Sequence, residues 1–263
     1  MAGKSVRQGR ILGAVGTPAL MVAADRTVSG GDEPYAEDPE LFVQRVVDIH
    51  PDAVLLGPGL IDRYGHLFGF RGAPGLVCRL DFPYVDGPFL GSGNHFDLIC
   101  DVAHAASLGA DAVVLFLKSH PADRALWSAN IRALSAVIRE AELLQIPVIV
   151  EAVAWDSPNH GDVRARETSR VARIACELGA DIIKTDYPGS VEQMQRLVTA
   201  CSVPVLVLGG PLRSVPEVVG TTAAAIAGGA RGVIYGRNIW QREHADGVAA
   251  ELRRALASYA LRG

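Results

Sequence analysis

Three lysines stand in this chain of 263 residues, at positions 4, 118 and 184. Lys+Arg totals 25, so the remaining basic side chains are 22 arginines. Lys118 closes the apolar run AVVLFLK and Lys184 closes ADIIK. Arginine supplies permanent charge as well as lysine does, but only lysine can shed its proton and attack a carbonyl carbon as a neutral amine. Lysines kept at the ends of apolar runs therefore suggest amine chemistry. Codon bias with two strand-end cations would give the same count, so the count alone does not decide.

Lys184 is the stronger candidate. Its neighbours Ile182 and Ile183 disfavour a charge, and a nearby Lys118 would disfavour it further, so its pKa is expected to fall. Such an amine can form an imine with a ketone or aldehyde. The bland alternative is a salt bridge to a strand-end carboxylate. A protonated imine is an electron sink that permits C–C bond cleavage or formation beside the former carbonyl. The carboxylates available to move protons are Asp25, Glu151 and Asp186, with Tyr187 nearby. Alternation along a strand puts Asp186 on the face of Lys184. Glu151, after PVIV on the preceding strand, and Asp25 are the better acid/base candidates, and each has an alternative role as a structural anchor.

A second chemistry is written near the C-terminus. LGGP (Leu208–Pro211) and YGRN (Tyr235–Asn238) each follow an apolar run. Glycines there let backbone N–H groups approach an anion, and Arg237 can grip two phosphate oxygens. Gly209, Gly210, Gly236 and Arg237 are thus candidate phosphate ligands, with Lys118 and Asp186 as further substrate contacts. The glycines alone could merely turn the chain; their paired placement points to a ligand.

The elements that must position these groups alternate in type. Near-continuous apolar runs cover Ala19–Asp25, Ala53–Gly57, Gly75–Asp81, Ala112–Lys118, Pro147–Val153, Asp181–Tyr187, Pro204–Gly210 and Gly232–Gly236. They read as parallel strands covered on both faces. Amphipathic segments lie between them. One opens at Asp38–Pro39 as N-cap and first helical residue, and others span 96–108, 126–144, 163–178, 191–200, 215–227 and 247–261. The phrase LGAD recurs before two strands, as a helix-to-strand junction should. Eight strands with intervening helices predict a single α/β domain over residues 1–263, a (β/α)₈ TIM barrel. Residues 1–17 are expected to be an N-terminal extension, and 57–71 and 82–95 active-site loops. A doubly wound open sheet is weakened by the strand count and by the lack of G-x-G-x-x-G after the first strand.

Composition excludes several function classes. The net charge is −4 with no basic block, which argues against nucleic acid. No apolar run approaches a membrane span and no signal peptide is evident, so a cytoplasmic location is expected. Cys78, Cys100, Cys176 and Cys201 form no C-x-x-C pair, and the histidines show no metal-ligand spacing. No metal or organic cofactor is expected.

At DIIKTDYPG, VPVLVLGGP and GARGVIYGRNIWQ the chain resembles the DhnA-type class I aldolases of the DeoC/LacD superfamily, from Asp25 to the final helix. Archaeal-type fructose-bisphosphate aldolase, autoinducer-2 thiolase and aminodideoxyheptulosonate synthase belong to that group. The resemblance implies a metal-independent lyase acting on a phosphorylated sugar or related ketose, or a thiolase- or transaldolase-like synthase using the same lysine, and commonly a homo-oligomer; the alternative of another class is a barrel that has lost catalysis and only binds a phosphosugar. The resemblance also implies Lys184 as the Schiff-base lysine, Asp25 as the aspartate that assists it, and a substrate phosphate at Gly209, Gly210, Gly236 and Arg237. Three positions depart from the group. EAVAWD lacks the strand-five tyrosine, Asp25–Arg26–Thr27 replaces aspartate–histidine–glycine, and Leu208 replaces a small polar residue. Glu151 is similar instead to the strand-five glutamate of tagatose-bisphosphate and sulfosugar aldolases.

Overall fold

The computed structural model describes residues 2–25, 38–83, 96–119, 123–154 and 161–260. Its strands are β1 (Ala19–Ala23), β2 (Ala53–Leu56), β3 (Gly75–Arg79), β4 (Asp81–Pro83), β5 (Phe96–Leu98), β6 (Ala112–Lys118), β7 (Val148–Val153), β8 (Ile182–Thr185), β9 (Val205–Leu208) and β10 (Gly232–Tyr235). Eight of them close into a parallel barrel in the order β1-β10-β9-β8-β7-β6-β3-β2. The fold is the expected (β/α)₈ barrel. The outer layer comprises α2 (Pro39–Asp48), α3 (Pro58–Tyr64), α4 (Val102–Ser107), α5 (Arg124–Leu144), α6 (Gly161–Leu178), α7 (Val191–Ala200), α8 (Val215–Ala227) and α10 (Ala245–Ala260). α1 (Ala2–Leu12) precedes β1, and the one-turn α9 (Arg237–Trp240) follows β10.

Strand periodicity sorts the core into two apolar clusters. One lies between barrel and helices. The other fills the barrel, with Met21, Leu55, Val77, Val114, Ile149, Ile182, Leu206 and Ile234 pointing inward. Ile11 and Leu12 of α1 join the inner cluster. The predicted N-terminal extension is therefore a helix that closes the barrel floor. A methyl on Gly75 would meet Ile11 at 2.7 Å, so β3 opens on glycine beside α1. Lys4 is explained here: it bridges Glu142 at 2.6 Å and Asp181 at 2.9 Å, an anchor with no part in the mouth.

The junctions repeat one device. Gly109 and Gly179 end helices with positive φ, at +86° and +107°. The aspartates of the two LGAD phrases then accept an amide from the first two residues of a neighbouring strand, Leu76 for Asp111 and Val148 for Asp181. Asp52 does the same for Leu20.

Two expectations need correction. The predicted helix over 96–108 is a short strand followed by a shorter helix. Phe96–Leu98 pairs antiparallel with Asp81–Pro83, and Asp101 caps the amide of His104 to start α4. Residues 57–71, expected as a loop, form α3 and a 3₁₀ turn over Gly65–Phe68, because Pro58 sits at the first helical position. Of the second expected loop, residues 84–95 lie outside the described residues, as do His95, His120 and His160. Among the described residues no helix is long and apolar enough to cross a membrane.

The cysteines, scattered in sequence, meet in space as two thiol pairs, Cys78 with Cys100 and Cys176 with Cys201. The hydrogen bond from Cys201 outweighs burial and pulls the half-buried Cys176 thiol down to about 7. Iodoacetamide at neutral pH is therefore expected to modify Cys176 well before the fully buried Cys78, as peptide mapping of a time course would read.

Candidate active site

Two residues beyond each inward apolar position comes the next inward position, at the C-terminal end of the barrel. Counting on from the inner cluster gives Ala23, Gly57, Arg79, Phe116, Glu151, Lys184, Leu208 and Gly236. Bulk and charge thus gather on β3, β6, β7 and β8. The opposite wall is mostly small. That asymmetry leaves a cavity of about 150 Å³ lined by Asp25, Glu151, Lys184, Leu208, Gly209, Gly210, Gly236 and Arg237, with Ala23, Ile234 and Trp240. It opens where a barrel of this kind does chemistry.

Lys184 is buried on the floor of this cavity, only 4% exposed. β7 and β8 pair with Glu151 directly beside Lys184, and the side chains meet at 2.8 Å between Nζ and Oε1. The salt bridge foreseen as the bland alternative thus exists, and it joins the two groups named for the chemistry. Burial pushes the Glu151 carboxyl up, but the charges and hydrogen bonds of Lys184 and Arg79 outweigh it and hold it below the usual carboxylate range.

Arg79 was not among the expected site residues, yet it organises them. Its side chain is fully buried. Nε donates to Asp25 Oδ2 at 2.7 Å, Nη1 to Asp81 Oδ1 at 3.2 Å and Nη2 to Glu151 Oε2 at 2.6 Å. Asp25 therefore lines the cavity with Lys184 but has Arg79 as its ion-pair partner. Burial pushes the Asp81 carboxyl up despite Arg79 and the Phe116 amide.

Lys118 and Asp186 are not on the cavity wall. Lys118 is buried beside the Phe116 ring, 5.1 Å from its centroid, and burial lowers its pKa to about 8. Asp186 lies past the end of β8 and pairs with Arg164 of α6 at 2.6 Å. Tyr187 packs into the outer cluster.

The glycine-rich wall is built by hydrogen bonds. Asn238 Nδ2 donates to the carbonyls of Gly209 and Pro211, both at 2.9 Å, and its Oδ1 accepts the Arg213 amide. Arg237 Nη2 donates to the Gly210 carbonyl at 3.2 Å. Gly210 has φ +63°, where glycine is the default residue. A methyl on Gly236 would stand 2.8 Å from the Ala23 carbonyl, which also accepts the Trp240 indole N–H. Gly236→Ala is expected to push this wall outward, costing about 1–3 kcal/mol of stability. We expect it to raise KM for a phosphorylated substrate more than it lowers kcat, measurable by steady-state kinetics beside a thermal melt.

Among the described residues no group of three or more His, Cys, Asp or Glu side chains is arranged to hold a metal ion. The three carboxylates that approach one another are spanned by Arg79.

A buried lysine–carboxylate pair under a glycine-rich wall at a barrel mouth is a small constellation, and comparison with known proteins gives it a family. Residues 19–242 match the model of the DeoC/LacD family aldolases. The chain belongs to that family. It is 32% identical over 242 residues to an uncharacterized aldolase of Saccharolobus solfataricus, covering 90% of this chain and 89% of that one. It is 30% identical over 254 residues to 2-amino-3,7-dideoxy-D-threo-hept-6-ulosonate synthase of Halobacterium salinarum, covering 95% and 90%. Among solved structures it is similar to an archaeal fructose-1,6-bisphosphate aldolase whose catalytic lysine is covalently bound to the carbinolamine intermediate of its substrate. That likeness has a TM-score of 0.80 at 25% identity over 96% of this chain and 99% of the other. This family member is thus an enzyme of the aldolase class.

Proposed function

We propose that the chain is a class I lyase that makes or breaks a C–C bond in a phosphorylated ketose or related sugar through an imine on Lys184. The observation that carries this reading is the 2.8 Å contact between Lys184 Nζ and Glu151 Oε1 on the floor of the glycine-walled cavity. Attack on a ketone requires the amine to give up its proton, and Glu151 Oε1 is placed to receive it. The amine adds to the carbonyl, Glu151 returns its proton to the carbinolamine hydroxyl, and water leaves to give an iminium and a carboxylate ready to act again. In the cleavage direction Glu151 takes the proton of the hydroxyl two carbons from the iminium carbon. The C–C bond breaks, its electrons form an enamine, and an aldehyde leaves. Protonation of the enamine and hydrolysis return the ketone and the free lysine. The Gly209–Gly210 and Gly236–Arg237 wall would take the substrate phosphate through backbone N–H groups and the guanidinium.

Borohydride reduction with dihydroxyacetone phosphate, followed by peptide mass mapping, tests this. The expected result is a reduced adduct on Lys184. An adduct on Lys118 would reassign the nucleophile. A second outcome, transfer of the enamine to an acceptor rather than release, is favoured by the absence of a strand-five tyrosine and by the likeness to the heptulosonate synthase. Product analysis with and without added aldehydes separates the two.

A further inference from the structure

Arg79 occupies an expensive place for a guanidinium. No part of it reaches solvent, and the same volume filled by apolar side chains would often stabilise a fold as well or better. Its contacts show a different use. Glu151 has two oxygens: Oε2 is held by Arg79 at 2.6 Å and Oε1 faces Lys184 at 2.8 Å. The guanidinium is itself fixed from three directions. Asp25 and Asp81 hold Nε and Nη1, and the Phe116 ring lies 4.6 Å from Cζ. Phe116 is the cross-strand neighbour of Glu151, and its amide donates to Asp81 Oδ2 at 2.7 Å. The fork therefore cannot turn without breaking its bonds to three carboxylates.

We propose that Arg79 is a positioning residue for the proton-transfer step: it fixes which oxygen of Glu151 carries the proton and ties that carboxylate to Asp25 on the cavity wall. The inference rests on the Schiff-base reading above. A lysine at this position would supply charge but not a planar fork reaching three carboxylates at once. The charged groups facing Glu151 are Lys184 from β8, Arg79 from β3, Asp81 from β4, Lys118 from β6 and Asp25 beyond β1. Loss of the guanidinium removes one of the two cations bonded to Glu151. The carboxylate should then protonate at higher pH.

The test separates imine formation from proton abstraction, with dihydroxyacetone phosphate as the only probe. Borohydride adduct on Lys184 reads the first. Exchange of the C3 hydrogen of the bound ketone with deuterated water reads the second. Arg79→Lys, shown to be folded by its thermal melt, is expected to form the adduct in near-normal yield. Its exchange rate should fall roughly 100-fold, within the usual range for a displaced general base. The acid limb of its exchange profile should move to higher pH. Should the lysine variant not fold, the unaltered chain alone decides the inference. In the unaltered chain a carbon NMR titration of Glu151, assigned through Glu151→Gln, should find it titrating below an ordinary glutamate. A folded Arg79 variant with the parent's acid limb and parent ratio of exchange to trapping overturns the inference while leaving the imine reading intact, as does a Glu151 that titrates at or above the ordinary value. Absence of any adduct in the parent chain sinks both.

Discussion

The Lys184→Arg variant is expected to fold, and to lose turnover by roughly 10⁴-fold or more, the scale on which loss of an enzyme nucleophile is felt. The choice of arginine matters. Lys184 is buried against Glu151, so removing its charge would leave that carboxylate half unpaired. Breaking a buried pair in this way costs about 3–5 kcal/mol, and lost activity would then be confounded with lost structure. Arginine keeps the charge and a donor toward Oε1. Its extra bulk beside Arg79 costs about 1–3 kcal/mol, which a melt can measure. What it cannot supply is a neutral amine. Circular dichroism, borohydride trapping and turnover together check the prediction. Native-like folding with no adduct and no turnover is the expected set of results, and appreciable turnover by the folded variant would remove Lys184 from the mechanism.

Much of this site was legible in the sequence because its residues stand in the last part of apolar runs or just after them. In a parallel barrel such positions converge on one mouth, so Lys184, Glu151 and the glycine pairs could be placed together without knowing their distances. The pairing of Glu151 with Lys184 followed from the adjacency of two strands. Arg79 was missed because the run GLVCRLD was read to its terminal Asp81, although Arg79 stands fifth in it as Glu151 does in PVIVEAV. The signal was present: an arginine in a strand buried on both faces must find carboxylates. Which carboxylates could be answered only by the closed barrel, which brings Asp25 from beyond β1, Asp81 from two residues on and Glu151 from within β7. The same gap explains Asp25. Its position just past β1 predicted a place in the mouth, but its partner is Arg79. Asp186 shows the opposite failure. Alternation put it on the face of Lys184, but β8 ends at Thr185 and Arg164 of α6 pairs with it. The floor helix was obscure because α1 is mostly polar, with Ile11 and Leu12 its only residues buried in the core.

Two of the carboxylates around the guanidinium, Asp81 and Glu151, do not share a fate. Burial wins at Asp81 and favours its protonated form, whereas two cations win at Glu151 and favour the carboxylate. Environments that separate the pKa values of neighbouring acids are how a site assigns roles. On the proposed reading, that criterion gives Glu151 the part of the base and Asp81 that of an anchor.

Glu151→Gln isolates that role. The amide matches the carboxylate in shape, and Arg79 can only donate, so Oε of the glutamine should turn toward Nη2. The amide nitrogen is then left facing Lys184. It can donate to a neutral amine but not to an ammonium, so this arrangement works in favour of the nucleophilic form. Imine formation should survive, and borohydride should still label Lys184. Proton transfer should not survive, because an amide neither accepts nor returns a proton at neutral pH. Turnover is expected to fall by about 10²–10⁴-fold, the range for loss of a general acid–base group. The drop should appear in kcat, with KM for the phosphorylated substrate little changed, since the glycine wall is untouched. If Asp25 were the proton carrier instead, Asp25→Asn would reproduce this split between trapping and turnover, and Glu151→Gln would retain most of its activity. Measuring both variants under one protocol decides between the two carboxylates.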